Sequence, residues 1–246
     1  MTSRWHALAA GLLVPLLALA ACGGSDGDTS SDAPDDTAAE SAEPTDPAPA
    51  LVAQAGPAQV QVYATAAEDQ PMTTLDNPNE NGAPLVFLVE EDQREWLKVL
   101  LPIRPNGSTG FVRASDVTVS ENPYRIDIEL VEHRLTVRKG DEVIVDEPIG
   151  VGTASTPTPG GKYYLKELLQ PPDPEGAYGP YAYGLSGFSN VLEEFNGGDG
   201  VIGIHGTNEP EAIGTDVSHG CIRVSNEAIT EMAGILPLGT PVHIEA

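Results

Sequence analysis

The chain of 246 residues carries 37 acidic against 12 basic side chains, a formal charge of −25. Such a surface repels phosphate backbones and anionic bilayers, which argues against nucleic acid as a partner and against membrane binding by charge. Two cysteines are too few for a disulfide scaffold, and 26 Gly with 22 Pro point to a strand- and loop-rich chain with at least one unstructured stretch.

Residues 1–22 read as an export signal: Arg4 in a short basic region, an apolar run through Ala18, then Leu19-Ala20-Ala21-Cys22. The run is well short of the ~20 apolar residues a spanning helix needs. Small residues before Cys22, with Gly23-Gly24-Ser25 after it, resemble the lipobox of bacterial lipoproteins. That resemblance implies cleavage before Cys22 and lipidation of its thiol. The protein is then held by its acyl chains on the extracytoplasmic face of the cell membrane, facing the wall. Cys221 would then be the one remaining thiol of an exported chain, and catalysis is the leading reason to keep it. Residues 23–57 hold no Lys or Arg and few large apolar side chains, so they are expected to form a solvated acidic tether.

Residues 58–119 carry strand patterns at 59–64, 85–89, 96–101, 111–112 and 116–119, with turn chemistry in Asn79-Glu80-Asn81-Gly82 and Arg104-Pro105-Asn106-Gly107. Five short strands fit a small barrel. Trp96-Leu97-Lys98-Val99 and the stretch from Pro105 to Asp116 resemble bacterial SH3-like domains, with Trp96 expected in the core. Residues 123–246 form a second β unit, with strands expected at 125–131, 134–138, 142–149, 162–168, 201–205 and 241–245. Ser225 is a candidate N-cap for a helix over 226–236 with Ile229, Met232 and Ile235 inward. The stretch 170–200, rich in Pro, Gly, Tyr and Phe, reads as a long loop. Its Tyr178, Tyr181, Tyr183 and Phe188 either wall a substrate groove or pack locally beneath the loop. The fold class is therefore mainly β, with one or two short helices.

Chemistry concentrates in Val201-Ile202-Gly203-Ile204-His205-Gly206-Thr207 and in Ser218-His219-Gly220-Cys221-Ile222-Arg223. Each cluster sits where a strand meets a loop, so two strand ends can bring His205 beside Cys221. An isolated thiol ionises near ~8.5, and a paired imidazole lowers that, so a thiolate at neutral pH is expected. The N–H groups of Gly220 and Cys221 are candidate oxyanion donors. A zinc site lacks a coherent ligand set, a buried inert cysteine does not suit the Gly-Cys setting, and papain-like peptidases place Cys before His in the chain.

These residues resemble the L,D-transpeptidase (YkuD-type) catalytic domain, and Ile149–Thr153 and Thr156–Gly160 resemble its upstream strand and Thr-Pro turn. The resemblance implies a β-sandwich or barrel and cysteine acyl transfer on peptidoglycan stem peptides. The terminal D-Ala is released, and the acyl group passes to the side-chain amine of a diamino acid. It implies Cys221 as nucleophile, His205 as base and then acid, His219 and Gly220 at the oxyanion site, and the Gly206 carbonyl orienting His205. Ser218, Thr207, Gly206, Tyr183 and Arg223 are candidate substrate contacts, although Arg223 is read more readily as a brace. No cofactor or metal is implied, and carbapenem β-lactams are the expected inhibitors. Two alternatives stay open: an L,D-carboxypeptidase that uses water as acceptor, and a non-catalytic wall-binding lipoprotein.

Overall fold

The computed structural model describes residues 48–194 and 198–245. The signal segment, Cys22 and the tether as far as residue 47 lie outside the described residues. The chain opens with β1 (Ala50–Ala55), β2 (Gln59–Val62), β3 (Thr73–Asp76), β4 (Val86–Asp92), β5 (Trp96–Leu100), β6 (Thr109–Arg113) and β7 (Val117–Asn122). Five of these form an antiparallel sheet in the order β6-β5-β4-β1-β7, and β2 pairs with β3 as a separate ribbon. Val60 and Val62 of the ribbon close over Phe87, Leu97, Val99 and Val112 of the sheet, all buried.

One boundary is corrected. Residues 50–55, expected in the tether, form a strand between β4 and β7, with Val52, Ala53 and Ala55 buried. Their Ala-rich composition resembles the tether, but pairing on both sides satisfies their backbone and removes them from water. Trp96 is not a core residue: it is half-buried, with the Arg113 guanidinium 4.4 Å from its ring centroid and the Tyr63 ring 5.0 Å away, edge-on.

The chain continues through β8 (Tyr124–Glu129), β9 (Arg134–Lys139), β10 (Glu142–Pro148), β11 (Val151–Gly152), β12 (Gly161–Leu169), β13 (Ala182–Phe188), β14 (Val201–His205), β15 (Asp216–Ser218), β16 (Ile222–Arg223), α1 (Asn226–Ile235) and β17 (Pro241–Glu245). Eight strands form a sheet in the order β10-β9-β8-β17-β12-β13-β14-β16, and β11 pairs with β15. The sheet curls around α1, burying Ile126, Leu135, Leu185, Ile204 and Ile222 with Ala228, Ile229 and Met232 of the helix. Ser225 caps the helix by accepting the Ala228 N–H at 3.0 Å. Ile235, expected inward, is 37% exposed, because Ala228 rather than Ile235 completes the buried face.

The loop reading of 170–200 is also corrected, since β13 runs through it as an interior strand. Its sequence, Ala-Tyr-Gly-Leu-Ser-Gly-Phe, hides a strand because two glycines lower β propensity and break the alternation. The described residues form one compact unit. Val52, Val86, Leu88 and Leu100 of the first sheet pack on Tyr164 of β12, and Asn122 donates to Thr240 Oγ1 at 3.0 Å.

Candidate active site

β14 and β16 run parallel, with Ile204 opposite Ile222 and His205 opposite Arg223. Ile204 and Ile222 face the core, fully buried. Strand side chains alternate, so His205 and Cys221 both leave the opposite face. Gly203 lies one residue before Ile204, as Cys221 lies before Ile222, which puts the bare glycine beside the thiol. The pairing continues outward: Gly203 opposes Gly184 of β13, and Gly184 opposes Glu167 of β12. A row Glu167–Gly184–Gly203–Cys221 thus crosses four strands with no side chain on its two middle members. Three strand spacings of ~4.8 Å give it a length of ~14 Å. This strip is the floor of a cleft of about 180 Å³ lined also by His205, Tyr178 and Asp199.

Neither inner glycine tolerates a side chain. A Cβ on Gly203 would lie 2.6 Å from the Tyr183 carbonyl oxygen, and one on Gly184 would meet the Glu167 side chain. Gly203→Ala is therefore expected to disturb the β13–β14 ladder and the thiol together. We expect a loss of roughly 1–3 kcal/mol of stability, read by denaturant melting, with a slower reaction of Cys221 with electrophiles.

His205 is 5% exposed, and its Nδ1–H donates to the Gly206 carbonyl oxygen at 2.6 Å. That bond leaves Nε2 as the basic nitrogen. Burial pulls the His205 pKa down to about 4, with the Arg223 charge adding to the fall and the Gly206 bond opposing it. Burial also pushes the half-buried Cys221 thiol up, although the Gly203 N–H to Sγ and the Arg223 charge pull it partly back. Burial therefore weighs against charge on either group, most strongly on the imidazole.

The turn before Cys221 is tightly fixed. Ser218 Oγ donates to the Cys221 carbonyl oxygen at 2.5 Å and accepts the Gly220 N–H at 3.0 Å. Thr153 N–H and Thr156 Oγ1 both donate to the Ser218 carbonyl oxygen. Gly220 has φ +117°, in the region only glycine enters without strain. The Gly220 N–H is consequently spent on Ser218 and is not an oxyanion donor in this geometry. His219 is exposed and does not line the cleft.

Other sequence candidates belong to the scaffold. Thr207 is 3% exposed, donates its N–H to Asn226 Oδ1 at 2.9 Å and accepts the Glu209 N–H at Oγ1. Ser218 is likewise consumed by its own turn. Tyr183 is 1% exposed, and its hydroxyl lies 3.1 and 3.0 Å from the carbonyl oxygens of Met232 and Leu236, tying β13 to the end of α1. Arg223 meets Glu209 at 2.6 Å, as a brace would. Of the aromatic group, Tyr178 and Tyr183 both border the cleft, the Tyr178 ring centroid 4.8 Å from that of His205, while Phe188 lies under the Arg104 guanidinium.

Four contributors have no local signal in the sequence: Gly184, Gly203, Glu167 and Asn226. Asn226 begins α1, and its Oδ1 fills the space that a side chain on Gly206 or Gly179 would need. Among the described residues, no three His, Cys, Asp or Glu side chains come together to hold a metal ion.

The profile of the L,D-transpeptidase catalytic domain, YkuD, matches residues 123–244. The YkuD protein of Bacillus licheniformis is 33% identical over 163 residues, covering 63% of this chain and 90% of that one. The Bacillus subtilis YkuD protein is 37% identical over 162 residues, with the same two shares. An L,D-transpeptidase from Mycobacterium smegmatis, covering 80% of this chain and all of its own, superposes with a TM-score of 0.43 at 17% identity. With 90% of two curated relatives spanned at 33% and 37% identity, the chain belongs to the YkuD family of L,D-transpeptidases.

Proposed function

We propose that the protein is a cysteine acyltransferase that cross-links peptidoglycan stem peptides. The observation that carries this reading is the presence of both Cys221 and His205 in the lining of one glycine-floored cleft. In the first half-reaction, Sγ attacks the carbonyl carbon of the bond preceding the terminal D-Ala of a tetrapeptide. The thiol proton passes to His205 Nε2 and then to the departing D-Ala amine as the C–N bond breaks. In the second, the side-chain amine of a diamino acid attacks the thioester and gives its proton to His205. The C–S bond then breaks, and the proton returns to sulfur. With Gly220 N–H engaged, the Cys221 N–H is the candidate oxyanion donor.

The first sheet we read as an SH3-like module. Residues 1–22 we read as a lipoprotein signal, with Cys22 lipidated and the protein anchored on the extracytoplasmic face. Incubating the full chain, solubilised in detergent, with purified tetrapeptide muropeptides tests the activity by mass spectrometry. A cross-linked dimer with loss of D-Ala is the expected product. Tripeptide alone would make the protein an L,D-carboxypeptidase, and unchanged muropeptides would make it a wall-docking protein without catalysis.

A further inference from the structure

The far end of the cleft from Cys221 is closed by the first sheet. The Asn79–Gly82 turn between β3 and β4 reaches across, and Glu80 and Asn81 line the cleft beside Glu167. Glu167 is 3% exposed, and its Oε2 accepts Asn79 Nδ2 at 2.8 Å and Asn81 Nδ2 at 3.0 Å. Lys166 Nζ stands 3.6 Å from the other carboxylate oxygen. A carboxylate buried this deeply is stable only with its partners in place, so the contact is a built junction rather than a chance touch.

The turn is also fixed from within. Asn79 Oδ1 accepts the N–H groups of Asn81 and Ala83 at 3.0 and 2.9 Å, and Asn77 Oδ1 accepts that of Leu85 at 2.9 Å. One asparagine therefore shapes the turn with its oxygen and grips the catalytic sheet with its nitrogen. Gly184, bare of a side chain, leaves the room in which Glu167 lies. The wall is thus held at a set place relative to Cys221.

On the reading that the reaction is amide transfer, we propose that the Asn79–Gly82 turn is the acceptor wall of the cleft, selecting the amine-bearing peptide over water. The strip from Cys221 to Glu167 spans ~14 Å, the length of about four extended residues. Its lining carries Glu80 and Asp199 besides Glu167, which Lys166 already faces, and no Lys or Arg. A side-chain ammonium group on the incoming chain is drawn to that lining. β16 ends the eight-stranded sheet and is bridged to Gly150 on its other side, so the glycine floor runs from Cys221 towards β12. Occupied by a peptide, the strip keeps water from the thioester, and the amine displaces sulfur before hydrolysis can.

The test compares Glu80→Gln and Asn81→Ala with the parent full chain. Three measurements are made: Cys221 acylation by a carbapenem, the KM for an amine acceptor peptide, and the ratio of hydrolysed to cross-linked product. The expected result is a roughly tenfold rise in acceptor KM, equivalent to one lost charge-assisted contact, with more hydrolysis. Acylation should stay within about twofold of the parent, because the turn lies three strands from the thiol. Acceptor KM and product ratio unchanged in both variants would overturn the proposal. So would acylation falling in step with transfer, which marks a purely structural role. A parent enzyme that acylates yet yields only hydrolysed product overturns the transfer reading itself, and does so before any variant is made.

Discussion

Cys221→Ala should yield a folded protein that forms no covalent adduct with a carbapenem or a tetrapeptide donor. The expected loss of turnover is roughly 10⁴-fold or more, the scale on which removal of an activated nucleophile is felt. The fold should survive, because Sγ fills the open cleft rather than the core. The groups that shape the turn, Ser218 Oγ, Gly220 N–H and the Cys221 carbonyl, all remain. Stability is therefore expected to change by less than about 1 kcal/mol. Cys221→Ser is the sharper control: it keeps the side-chain shape and the contact to the Gly203 N–H, but its hydroxyl ionises far less readily than a thiol. Intact mass after incubation reads both variants. An adduct on the alanine variant would place the nucleophile elsewhere and remove Cys221 from the reaction.

The sequence made the candidate pair visible and hid the surface beside it. His205 and Cys221 stand out because reactive side chains flanked by glycine at strand ends have few structural uses. Ser225 was legible as a cap for the same local reason: its hydroxyl and the N–H it serves are three residues apart. The floor of the cleft had no such signal. A glycine inside a strand lowers its propensity, so Gly184 made β13 read as loop, although the missing side chain is what opens the cleft. The junction of Glu167 with Asn79 and Asn81 joins groups 88 and 86 residues apart, and no local pattern encodes it. The same limit explains β1. Ala50–Ala55 has the composition of the preceding tether, and only its pairing with β4 and β7, dozens of residues downstream, makes it a strand. The expected thiolate meets a related limit. Adjacency predicts an ion pair, but burial of both partners weighs against charge on either.

His205→Gln should separate the catalytic from the structural consequences of that burial. The imidazole titrates at about 4 in the folded protein, against an ordinary value of 6.5. Between those two pH values the unfolded chain binds a proton that the native state refuses, so stability rises with pH across the window. The contribution is fully present above pH 6.5 and is lost as pH falls towards 4, amounting to about 3 kcal/mol. Denaturant melts from pH 7 to pH 4 should show this acid loss in the parent and a flatter dependence in the glutamine variant. Acylation should at the same time fall by roughly 10²–10⁴-fold at every pH, because glutamine cannot take the thiol proton. In the parent, kcat/KM should keep its acid limb near pH 4 rather than near 6.5, since the neutral imidazole persists down to its lowered pKa. An acid limb near 6.5 would mean that His205 is solvated in the working enzyme. An acylation rate untouched by the substitution would mean that another group receives the proton.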